Sequence, residues 1–314
     1  MYKRKRIGVV VPALNEEVLI EPTLASMPAF IDRIYAVDDG STDGTLGRMR
    51  EAAERDPRIM VIVHSANGGV GASIVDGYRR CLEDGMDVAV VMAGDNQMDP
   101  QWITTLVDPV VDGRADYTKG NRLVNRNYVR GMSTWRLIGN AVLSFLTKIS
   151  SGYWSMVDPQ NGYTAISRRA LESIELDDVY PGYGYCNDIL VRLNVHSFRV
   201  LDVPVPAKYG MEKSKIKYSN YIVRVSGLLV RNFLWRIKMK YLVLGMSPVF
   251  FLYLLGLLLA PLGAGMFLVG LFKSILAGSL FVREVVSSIV FIMGVLFLMF
   301  AMLFDMQLSR NGTH

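Results

Sequence analysis

The sequence predicts an α/β domain with a mostly parallel sheet, followed by an amphipathic helix and two membrane-spanning helices. Short β-branched runs alternate with helical patterns over the first 120 residues. This alternation is typical of βαβ units with helices on both faces of a parallel sheet. A basic segment follows at 208–240, and residues 241–306 are almost entirely apolar. These observations divide the chain into 1–217, 218–240, 241–306 and a tail at 307–314.

The α/β domain is predicted from the order of its apolar runs. The predicted strands are Ile7–Val11, Ile34–Val37, Ile59–His64 and Val88–Met92. The predicted helices are Glu17–Met27, Thr45–Arg55, Ala72–Glu83, Gln101–Val111 and Leu137–Ile149. Asp99 and Pro100 favour a helix start, because Asp caps the free amides and Pro is tolerated at the first helical position. Three later segments, at 161–167, 186–195 and 198–203, complete the domain.

The C-terminal apolar stretch is long enough for two membrane spans, at about 242–270 and 285–305. A bilayer core needs about 20 apolar residues per helix. Its charged residues are Lys273, Arg283, Glu284 and Asp305. The alternative is a helical hairpin buried in a soluble core, which the length and low charge of the runs disfavour.

The basic residues lie directly before the first span. Residues 208–240 contain nine Lys or Arg and one acidic residue, Glu212. Basic residues at this place indicate a cytosolic segment and favour anionic lipid headgroups, whereas nucleic acid is a poor alternative. Residues 218–240 are also amphipathic, which is typical of an interfacial helix. The N-terminal apolar run is too short for a signal peptide. We therefore expect an integral membrane protein with a cytosolic N-terminal domain. A prokaryotic cell membrane is the expected location.

Polar or glycine-rich residues follow all four predicted strands. They are Asn15-Glu16, Asp38-Asp39-Gly40-Ser41, Asn67-Gly68-Gly69 and Gly94-Asp95-Asn96-Gln97. The carboxyl ends of parallel strands meet at one edge of a sheet, where ligands bind. Four such clusters therefore predict one shared crevice.

Asp95 and Gln97 are the candidate metal ligands of this crevice. Their oxygens suit Mg²⁺ or Mn²⁺, which keeps several waters and bridges phosphate groups. A helix-capping role for Asp95 is the alternative, but Asp99 already fills that position. The glycine pattern at 69–73 is an incomplete dinucleotide fingerprint, and the three histidines show no zinc-ligand spacing.

Several ordered motifs resemble those of family 2 glycosyltransferases. The matching segments are Pro12-Ala-Leu-Asn-Glu16, Val37-Asp-Asp-Gly-Ser-Thr-Asp-Gly-Thr45, Asn67-Gly-Gly-Val-Gly-Ala72, Met92-Ala-Gly-Asp-Asn-Gln97 and Gly120-Asn-Arg122. They are most similar to the dolichol-phosphate mannose synthase and polyprenyl-phosphate glycosyltransferase branch. The resemblance implies a GT-A fold, which is Rossmann-like, a divalent metal, a nucleotide-sugar donor and inversion at the anomeric carbon.

The resemblance also assigns residues to the donor. The implied donor-binding residues are Pro12, Leu14, Glu16, Val37, Asp38, Asp39, Asn67, Gly68, Ala93 and Gly94. Ala93 stands where the family has the first Asp of its Asp-x-Asp motif. The metal is therefore expected on Asp95 and Gln97, with the donor diphosphate and waters completing its shell.

The implied acceptor is a polyprenyl or dolichyl phosphate at the lipid bilayer. Its expected contacts are Arg122, Arg130, Arg136, Lys208, Ser214 and Lys215, although attraction to the membrane surface is an alternative role for these basic residues. Asp188 occupies the position of a general base in other family members. A phosphate oxygen is already nucleophilic at neutral pH, so Asp188 is expected to act catalytically by positioning the acceptor or the sugar.

Other readings remain open at this point. A processive polysaccharide synthase is disfavoured, because the Gln-x-x-Arg-Trp motif of such enzymes is absent from the sequence. A transferase acting on another glycolipid or glycan acceptor stays open, and so does a catalytically silent nucleotide-sugar-binding membrane protein, which Ala93 suggests. The spans also allow a homo-oligomer through the transmembrane helices.

Overall fold

The computed structural model describes residues 1–123, 134–206, 218–277 and 282–311. The chain divides into two compact units, Met1–Asn232 and Phe233–His314. Strands β1 to β7 are Ile7–Ala13, Arg33–Asp38, Ile59–Val63, Val88–Val91, Tyr117–Asn121, Thr164–Ser167 and Val200–Pro204. Helices α1 to α10 are Ile20–Ala25, Thr45–Arg55, Val70–Glu83, Ile103–Val111, Thr134–Ser151, Arg168–Ser173, Tyr185–Val195, Tyr218–Ile237, Pro248–Ala277 and Val282–Asn311.

The first unit contains one seven-stranded sheet with the order β3-β2-β1-β4-β6-β5-β7. Strands β1 to β4 are parallel to one another, and β5 is parallel to β7. Only β6 runs in the opposite direction, since it is antiparallel to both β4 and β5. The predicted mostly parallel α/β fold is therefore confirmed.

Helices cover both faces of this sheet. Along β1, Val9 and Val11 point into one core, which α1, α2 and α4 complete, while Val10 points into a second core with α3, α6 and α7. Every residue of β1 is buried, as expected for a central strand of a parallel sheet that is covered on both sides. Strand β1 accordingly contains no polar side chain, and the polar residues Asn15 and Glu16 follow it beyond its carboxyl end.

The largest differences from the predicted elements of the first unit are at α1, β5 and α6. Helix α1 begins at Ile20, because the loop before it is bound to the loop after β2. Strand β5 was not predicted, since Tyr117-Thr-Lys-Gly-Asn121 has no apolar alternation although all five residues are buried. Helix α6 was also missed, because its six residues are too few for a clear helical period.

Helices α5 and α8 pack together within the first unit. Leu143 of α5 forms a small apolar cluster with Val225 and Leu229 of α8. The hydroxyl of Ser150 donates a hydrogen bond to the carbonyl of Leu229 at 2.9 Å. The N-terminal part of the predicted amphipathic helix is thus attached to the domain through both apolar and polar contacts.

The second unit contains two helices that are long and apolar enough to cross a membrane, at Pro248–Ile275 and Glu284–Ser309. Only 22% and 17% of their most apolar windows are buried, which distinguishes them from the core helices of a soluble protein. The first begins later than the expected residue 242, because Lys238–Val243 forms a π-helical turn and Pro248 starts a new helix. Helix α10 continues to Asn311.

Small residues allow the two helices of this hairpin to approach closely. A Cβ added at Gly263 would lie 2.3 Å from the backbone nitrogen of Phe291, and one added at Gly294 would lie 2.2 Å from that of Ala260. Such contacts are typical of helix pairs in membranes, where small side chains permit backbone packing. A buried ion pair between Arg236 at the end of α8 and Asp305 of α10, with nitrogen–oxygen distances of 2.9 and 2.8 Å, connects α8 to this hairpin.

Candidate active site

The loops after β1 and β2 are joined by several hydrogen bonds. The backbone nitrogen of Asn15 donates to the hydroxyl of Ser41 at 3.0 Å, and the side-chain oxygen of Asn15 accepts from the backbone of Thr42 at 2.8 Å. The backbone of Glu16 donates to the hydroxyl of Thr45 at 2.8 Å. Asn15 has a φ of +54°, a region that Asn tolerates better than most residues. Two of the four predicted clusters therefore form one connected surface.

Asp43 stabilises the turn between these two clusters. Its carboxylate accepts from the backbone and hydroxyl of Thr45 and from the backbone of Glu17. Partial burial opposes ionisation, but these hydrogen bonds together lower the pKa of Asp43. A charged Asp43 thus helps to keep both loops in place at neutral pH.

Asp39 connects the third cluster to the other two. Its backbone nitrogen donates to the carbonyl of Ala13 at 3.0 Å. Its carboxylate accepts from the amides of Gly68 at 2.8 Å and Gly69 at 2.9 Å. Gly40 makes this approach possible, because its φ is +75° and an added Cβ would lie 2.9 Å from the backbone of the loop after β3. Asp38 and Asp39 are both buried.

The N-terminus of α3 is occupied by groups of the protein itself. Besides the two amides bound by Asp39, the amides of Gly71 and Ala72 donate to the carbonyl of Pro181 at 2.7 and 3.2 Å. A helix N-terminus with free amides is a ready anion site, but these amides already have acceptors. These four amides therefore differ from the free amides of a phosphate-binding loop.

The Asp95 loop lies beside the end of β1. A Cβ added at Gly94 would lie 2.9 Å from the Cβ of Ala13 and 3.2 Å from the carbonyl of Pro12. The carboxylate of Asp95 accepts from the backbone of Gln97 at 3.1 Å, and Asp95 is half-buried while Gln97 is exposed. The intervening Asn96 has a φ of +56°. The fourth cluster therefore joins the first three at the same sheet edge.

The capping role expected of Asp99 is present in the structure. Its carboxylate accepts from the backbone of Gln101 at 3.0 Å, at the start of the 3-10 turn Pro100–Trp102 that leads into α4. Asp95 and Asp99 thus have different local roles. Within the described ranges, no group of three His, Cys, Asp or Glu side chains is close enough to hold a metal by itself. A metal here would need ligands from a bound substrate in addition to Asp95 and Gln97, and Mg²⁺ accepts such a set.

The segment before β6 connects the Asp95 loop to the end of β5. A Cβ added at Gly162 would lie 3.0 Å from the hydroxyl of Tyr185 and 3.5 Å from the methyl carbon of Met98. On the other side, the amide of Asn161 donates to the carbonyl of Gly120 at 2.7 Å. No site residue was predicted in this segment, although Asp158-Pro-Gln-Asn-Gly162 is a polar, turn-like motif directly before a strand.

Arg122 is held by this segment. Its Nε lies 2.7 Å from Oδ2 of Asp158, and its Nη2 lies 3.1 Å from Oδ1. Asp158 also accepts from the backbone of Arg122 at 3.2 Å. The guanidinium group is thus oriented by a buried carboxylate at the end of β5.

A second carboxylate, that of Asp202, lies near the Arg122–Asp158 pair. Asp202 accepts from the amide of Asn121 at 3.1 Å and from the backbone of Val157 at 2.6 Å. Its other oxygen is buried and has no hydrogen-bond partner among the described residues. Burial, together with the charge of Asp158, raises the pKa of Asp202. Arg122, Asp158 and Asp202 thus lie near one another at the carboxyl end of β5.

Asp188 is buried and accepts hydrogen bonds from three groups. They are the backbone of Tyr180 at 3.0 Å, Nε of Arg192 at 3.1 Å and the amide of Asn232 at 2.7 Å. These contacts connect α7 to α8 and to the loop whose carbonyl at Pro181 caps α3. The carboxylate of Asp188 therefore holds α7, α8 and this loop together through its hydrogen bonds.

The remaining predicted residues fall into three groups. The side chain of Val37 lies in the core of the sheet, and Pro12 is also buried, whereas Leu14, Glu16 and Ala93 are half-buried and Asn67 and Gly68 are exposed. Arg136 lies on the described helix α5, but its side chain is outside the description. The predicted acceptor residues Arg130, Lys208, Ser214 and Lys215 lie outside the described residues.

Solved structures support the fold. A crystal structure of glucosyl-3-phosphoglycerate synthase from Mycobacterium tuberculosis, in complex with Mn²⁺, UDP and phosphoglyceric acid, is similar with a TM-score of 0.56. The match covers 74% of this chain and 78% of that chain, at 20% sequence identity. This likeness identifies the GT-A-like fold of the first unit.

Sequence relatives are more specific. The chain is 28% identical over 232 residues to a UDP-N-acetylglucosamine–dolichyl-phosphate N-acetylglucosaminyltransferase of Methanococcus voltae, covering 70% of this chain and 92% of the relative. It is 30% identical over 212 residues to a polyprenol monophosphomannose synthase of Mycolicibacterium smegmatis, covering 64% and 77%. These relatives confirm the resemblance to the polyprenyl-phosphate branch.

A protein-family profile identifies the family of the chain. The profile described as Glycosyl transferase family 2 matches residues 8–175, which include β1 to β6 and all four strand-end clusters. Since the match covers more than half of the chain, the protein belongs to glycosyl transferase family 2 and is a glycosyltransferase.

Proposed function

We propose that the protein transfers a sugar from a nucleoside-diphosphate sugar to a polyprenyl or dolichyl phosphate, with inversion at the anomeric carbon. The observation that carries this proposal is the continuous edge from the Asp95 loop, through the 158–163 segment, to the Arg122–Asp158 pair. One end of this edge suits a diphosphate, and the other presents a guanidinium for a phosphate. The named activities of the two sequence relatives support both halves of the reaction.

The donor nucleotide would lie against the connected loops after β1, β2 and β3. The exposed or half-buried residues of these loops, Leu14, Glu16, Asn67 and Gly68, are available to contact it. Asp38 and Asp39 are buried, so we propose that they act mainly by holding these loops. Gly94 keeps the Asp95 loop close to this surface, because any side chain there would meet the end of β1.

Asp95 and Gln97 would hold Mg²⁺ or Mn²⁺ together with the donor diphosphate. When bound, such a cation offsets the charge that develops on the departing nucleoside diphosphate. The backbone amide of Gln97 donates to the carboxylate of Asp95 and helps to orient it. The structures of Mycobacterium tuberculosis glucosyl-3-phosphoglycerate synthase were solved with Mn²⁺ or Mg²⁺ and UDP, which supports a divalent cation as cofactor.

We propose that Arg122 and Arg136 bind the acceptor phosphate and that the basic residues of 208–217 contribute to its binding. Arginine binds phosphate oxygens in a two-point geometry, and Asp158 limits the rotation of the Arg122 side chain. A phosphate oxygen needs no general base at neutral pH. We therefore propose that Asp188 contributes by positioning α7, α8 and the 180–181 loop, and that inversion results from a single displacement by the acceptor oxygen.

The membrane would supply the acceptor. We propose that 1–217 is the catalytic domain, that 218–240 lies at the membrane surface and that 241–306 anchors the chain, with the domain on the cytosolic side. The two long apolar helices and the basic residues that precede them support this arrangement. Anchoring keeps the enzyme and the lipid phosphate in one plane, which raises their local concentration.

A turnover assay tests the proposal. Full-length protein in lipid nanodiscs is incubated with Mn²⁺ or Mg²⁺, a panel of UDP- and GDP-sugars, and undecaprenyl or dolichyl phosphate. The expected product is a glycosyl phospholipid detected by mass spectrometry, with an inverted anomeric configuration by NMR. Nucleotide binding without transfer to any acceptor would indicate the silent binding protein instead. Transfer only to an acceptor without a terminal phosphate would indicate a different transferase of the same family.

A further inference from the structure

His64 follows β3 and contacts two carboxylates. Its Nδ1 lies 2.9 Å from Oδ1 of Asp39, and its Nε2 lies 3.0 Å from Oδ2 of Asp76 in α3. The side chain of His64 is 14% exposed and that of Asp39 is 5% exposed. The ring therefore forms a bridge from a buried carboxylate to the surface of α3.

Each ring nitrogen of His64 faces a carboxylate that already accepts another hydrogen bond. A neutral imidazole has one N–H donor and one acceptor, whereas an imidazolium donates from both nitrogens. Oδ1 of Asp39 already accepts from the amide of Gly68 at 2.8 Å, so this oxygen acts as an acceptor toward the ring. Asp76 accepts from Arg79 as well, so it too is an acceptor. An N–H at Nδ1 donates to Asp39, and an N–H at Nε2 donates to Asp76.

The bridge continues outward from α3. Arg79 pairs with Asp76 and also with Asp177 in the short turn after α6. Asp177 is close in the chain to Pro181, whose carbonyl accepts from the amides of Gly71 and Ala72. The start of α3 is thus held from two sides, by Asp39 and by the Pro181 carbonyl.

We infer that His64 is a positioning residue for the nucleotide. Through Nδ1 it fixes the rotamer of Asp39, and the two oxygens of Asp39 then fix the amides of Gly68 and Gly69. This loop is exposed at the sheet edge, where the proposed function places the donor nucleotide. The identity of the ligand as a nucleotide rests on the proposed function, whereas the hydrogen bonds from His64 to Asp39 and from Asp39 to the loop are independent of it.

Two substitutions separate the contacts of the ring. In His64→Asn, the side-chain amide nitrogen takes a place near that of Nδ1, so the contact with Asp39 can be kept while that with Asp76 is lost. In His64→Gln, the amide nitrogen takes a place near that of Nε2, so the contact with Asp76 can be kept while that with Asp39 is lost. His196→Gln is a matched control, because His196 is an exposed residue at the C-terminal end of α7.

The first measurement is the affinity of the full-length variants for UDP and GDP with Mn²⁺, by calorimetry. We expect His64→Gln to weaken binding by about tenfold, the scale of one lost charge-assisted hydrogen bond, and His64→Asn to stay within about threefold of the wild type. In turnover, the KM for the nucleotide sugar should rise in His64→Gln while the KM for the lipid phosphate stays unchanged. Equal affinities in the two variants, whether both normal or both weakened, would overturn the inference.

The second measurement needs no ligand. Hydrogen exchange of the peptide containing Gly68 and Gly69 should be faster in His64→Gln than in His64→Asn, because only the former frees Asp39. Equal exchange in the two variants would also overturn the inference. If the wild type makes no glycolipid but the two variants still differ in exchange, the proposed reaction fails while the positioning role of His64 stands.

Discussion

Arg122 and Asp158 form a two-point ion pair at the carboxyl end of β5, with nitrogen–oxygen distances of 2.7 and 3.1 Å. The carboxylate is almost fully buried, with 4% of its side chain exposed, whereas 39% of the arginine side chain is exposed. This difference means that the protein fixes the carboxylate, and the carboxylate fixes the direction of the guanidinium group. A pair of this kind orients a cation toward solvent rather than simply stabilising the core.

Asp158→Asn is expected to weaken use of the lipid phosphate. Asn cannot make both charge-assisted bonds to Arg122, so the KM for the acceptor should rise by about tenfold, with little change in the KM for the nucleotide sugar. Asp116→Asn is the matched control. Asp116 directly precedes β5, at the end of the strand opposite to Arg122, and its buried carboxylate pairs with Arg169. Steady-state kinetics with varied acceptor tests this, and an unchanged acceptor KM in Asp158→Asn would contradict it.

Asp95→Ala is expected to remove most activity. Loss of the carboxylate should lower kcat by at least about 100-fold, the usual scale for a group that stabilises developing charge. It should also abolish UDP-dependent binding of Mn²⁺, measured by electron paramagnetic resonance. Asp99→Asn keeps the capping acceptor and controls for damage to this loop. Full turnover by Asp95→Ala would show that the proposed metal ligand is wrong.

Gly71→Ala is expected to destabilise the catalytic unit. An added Cβ would lie 2.3 Å from the carbonyl oxygen of Tyr180, so the backbone must shift at a cost of about 1–3 kcal/mol. Gly47→Ala is the opposite case, because nothing lies within 4 Å of its added Cβ on α2. That variant should gain about 0.5–1 kcal/mol, since Gly loses more backbone entropy on folding than Ala. Thermal denaturation of the two variants should therefore shift in opposite directions.

Asp202 is expected to make stability depend on pH. Because the folded state raises its pKa above 3.8, the folded protein binds this proton more tightly than the unfolded chain does. Its contribution to stability is complete below the unfolded pKa and is lost as the pH rises through the folded pKa. Asp202→Asn should remove this dependence, so that the variant gains stability relative to the wild type as the pH rises.

Asp56 provides the contrasting pH control. Hydrogen bonds from Arg58 lower the pKa of Asp56, so its contribution is present above the unfolded pKa and is lost as the pH falls through the folded pKa. Asp56→Asn should therefore lose stability relative to the wild type as the pH rises. Melting temperatures measured across the acidic to neutral range compare both variants, and parallel curves for Asp202→Asn and wild type would contradict the assignment.

Gly294→Leu is expected to disrupt the hairpin of α9 and α10. Its side chain would meet the backbone of Ala260, where an added Cβ already lies 2.2 Å from the nitrogen. Gly265→Leu is the matched control in the same unit, because no atom lies within 4 Å of its added Cβ. Thermal denaturation in detergent should show a lower transition for Gly294→Leu alone. Equal transitions would show that the close approach of the two helices contributes little to stability.

Local signals predicted much of the fold. Strands β1 to β4 were found because each is a short apolar run, and the strand-end clusters were found because polar residues follow each run directly. Strand β5 was missed because its buried Lys119 and Gly120 do not resemble a strand interior. Lys119 is tolerated there because its ammonium group donates to the carbonyl of Asn161, a contact that links residues distant in the chain.

The candidate site was predicted less completely. Asp95, Gln97 and Arg122 were identified from motifs, but Asp158, Asp202 and His64 were not. Each of these three acts through a partner from another element, at Arg122, Asn121 and Asp39 respectively. A motif shows which residues are adjacent in the chain and does not show which side chain a distant strand brings to them.

The sequence by itself determined the α/β alternation, the polar strand ends and the two long apolar helices, because all of these are properties of neighbouring residues. Only the tertiary structure decided that β6 is reversed between β4 and β5. That reversal brings the 158–163 segment to the carboxyl edge of the sheet, where it contacts both the Asp95 loop and Arg122. The physical reason is that hydrogen bonding between strands, rather than any local preference, determines which loops meet at the edge of a sheet.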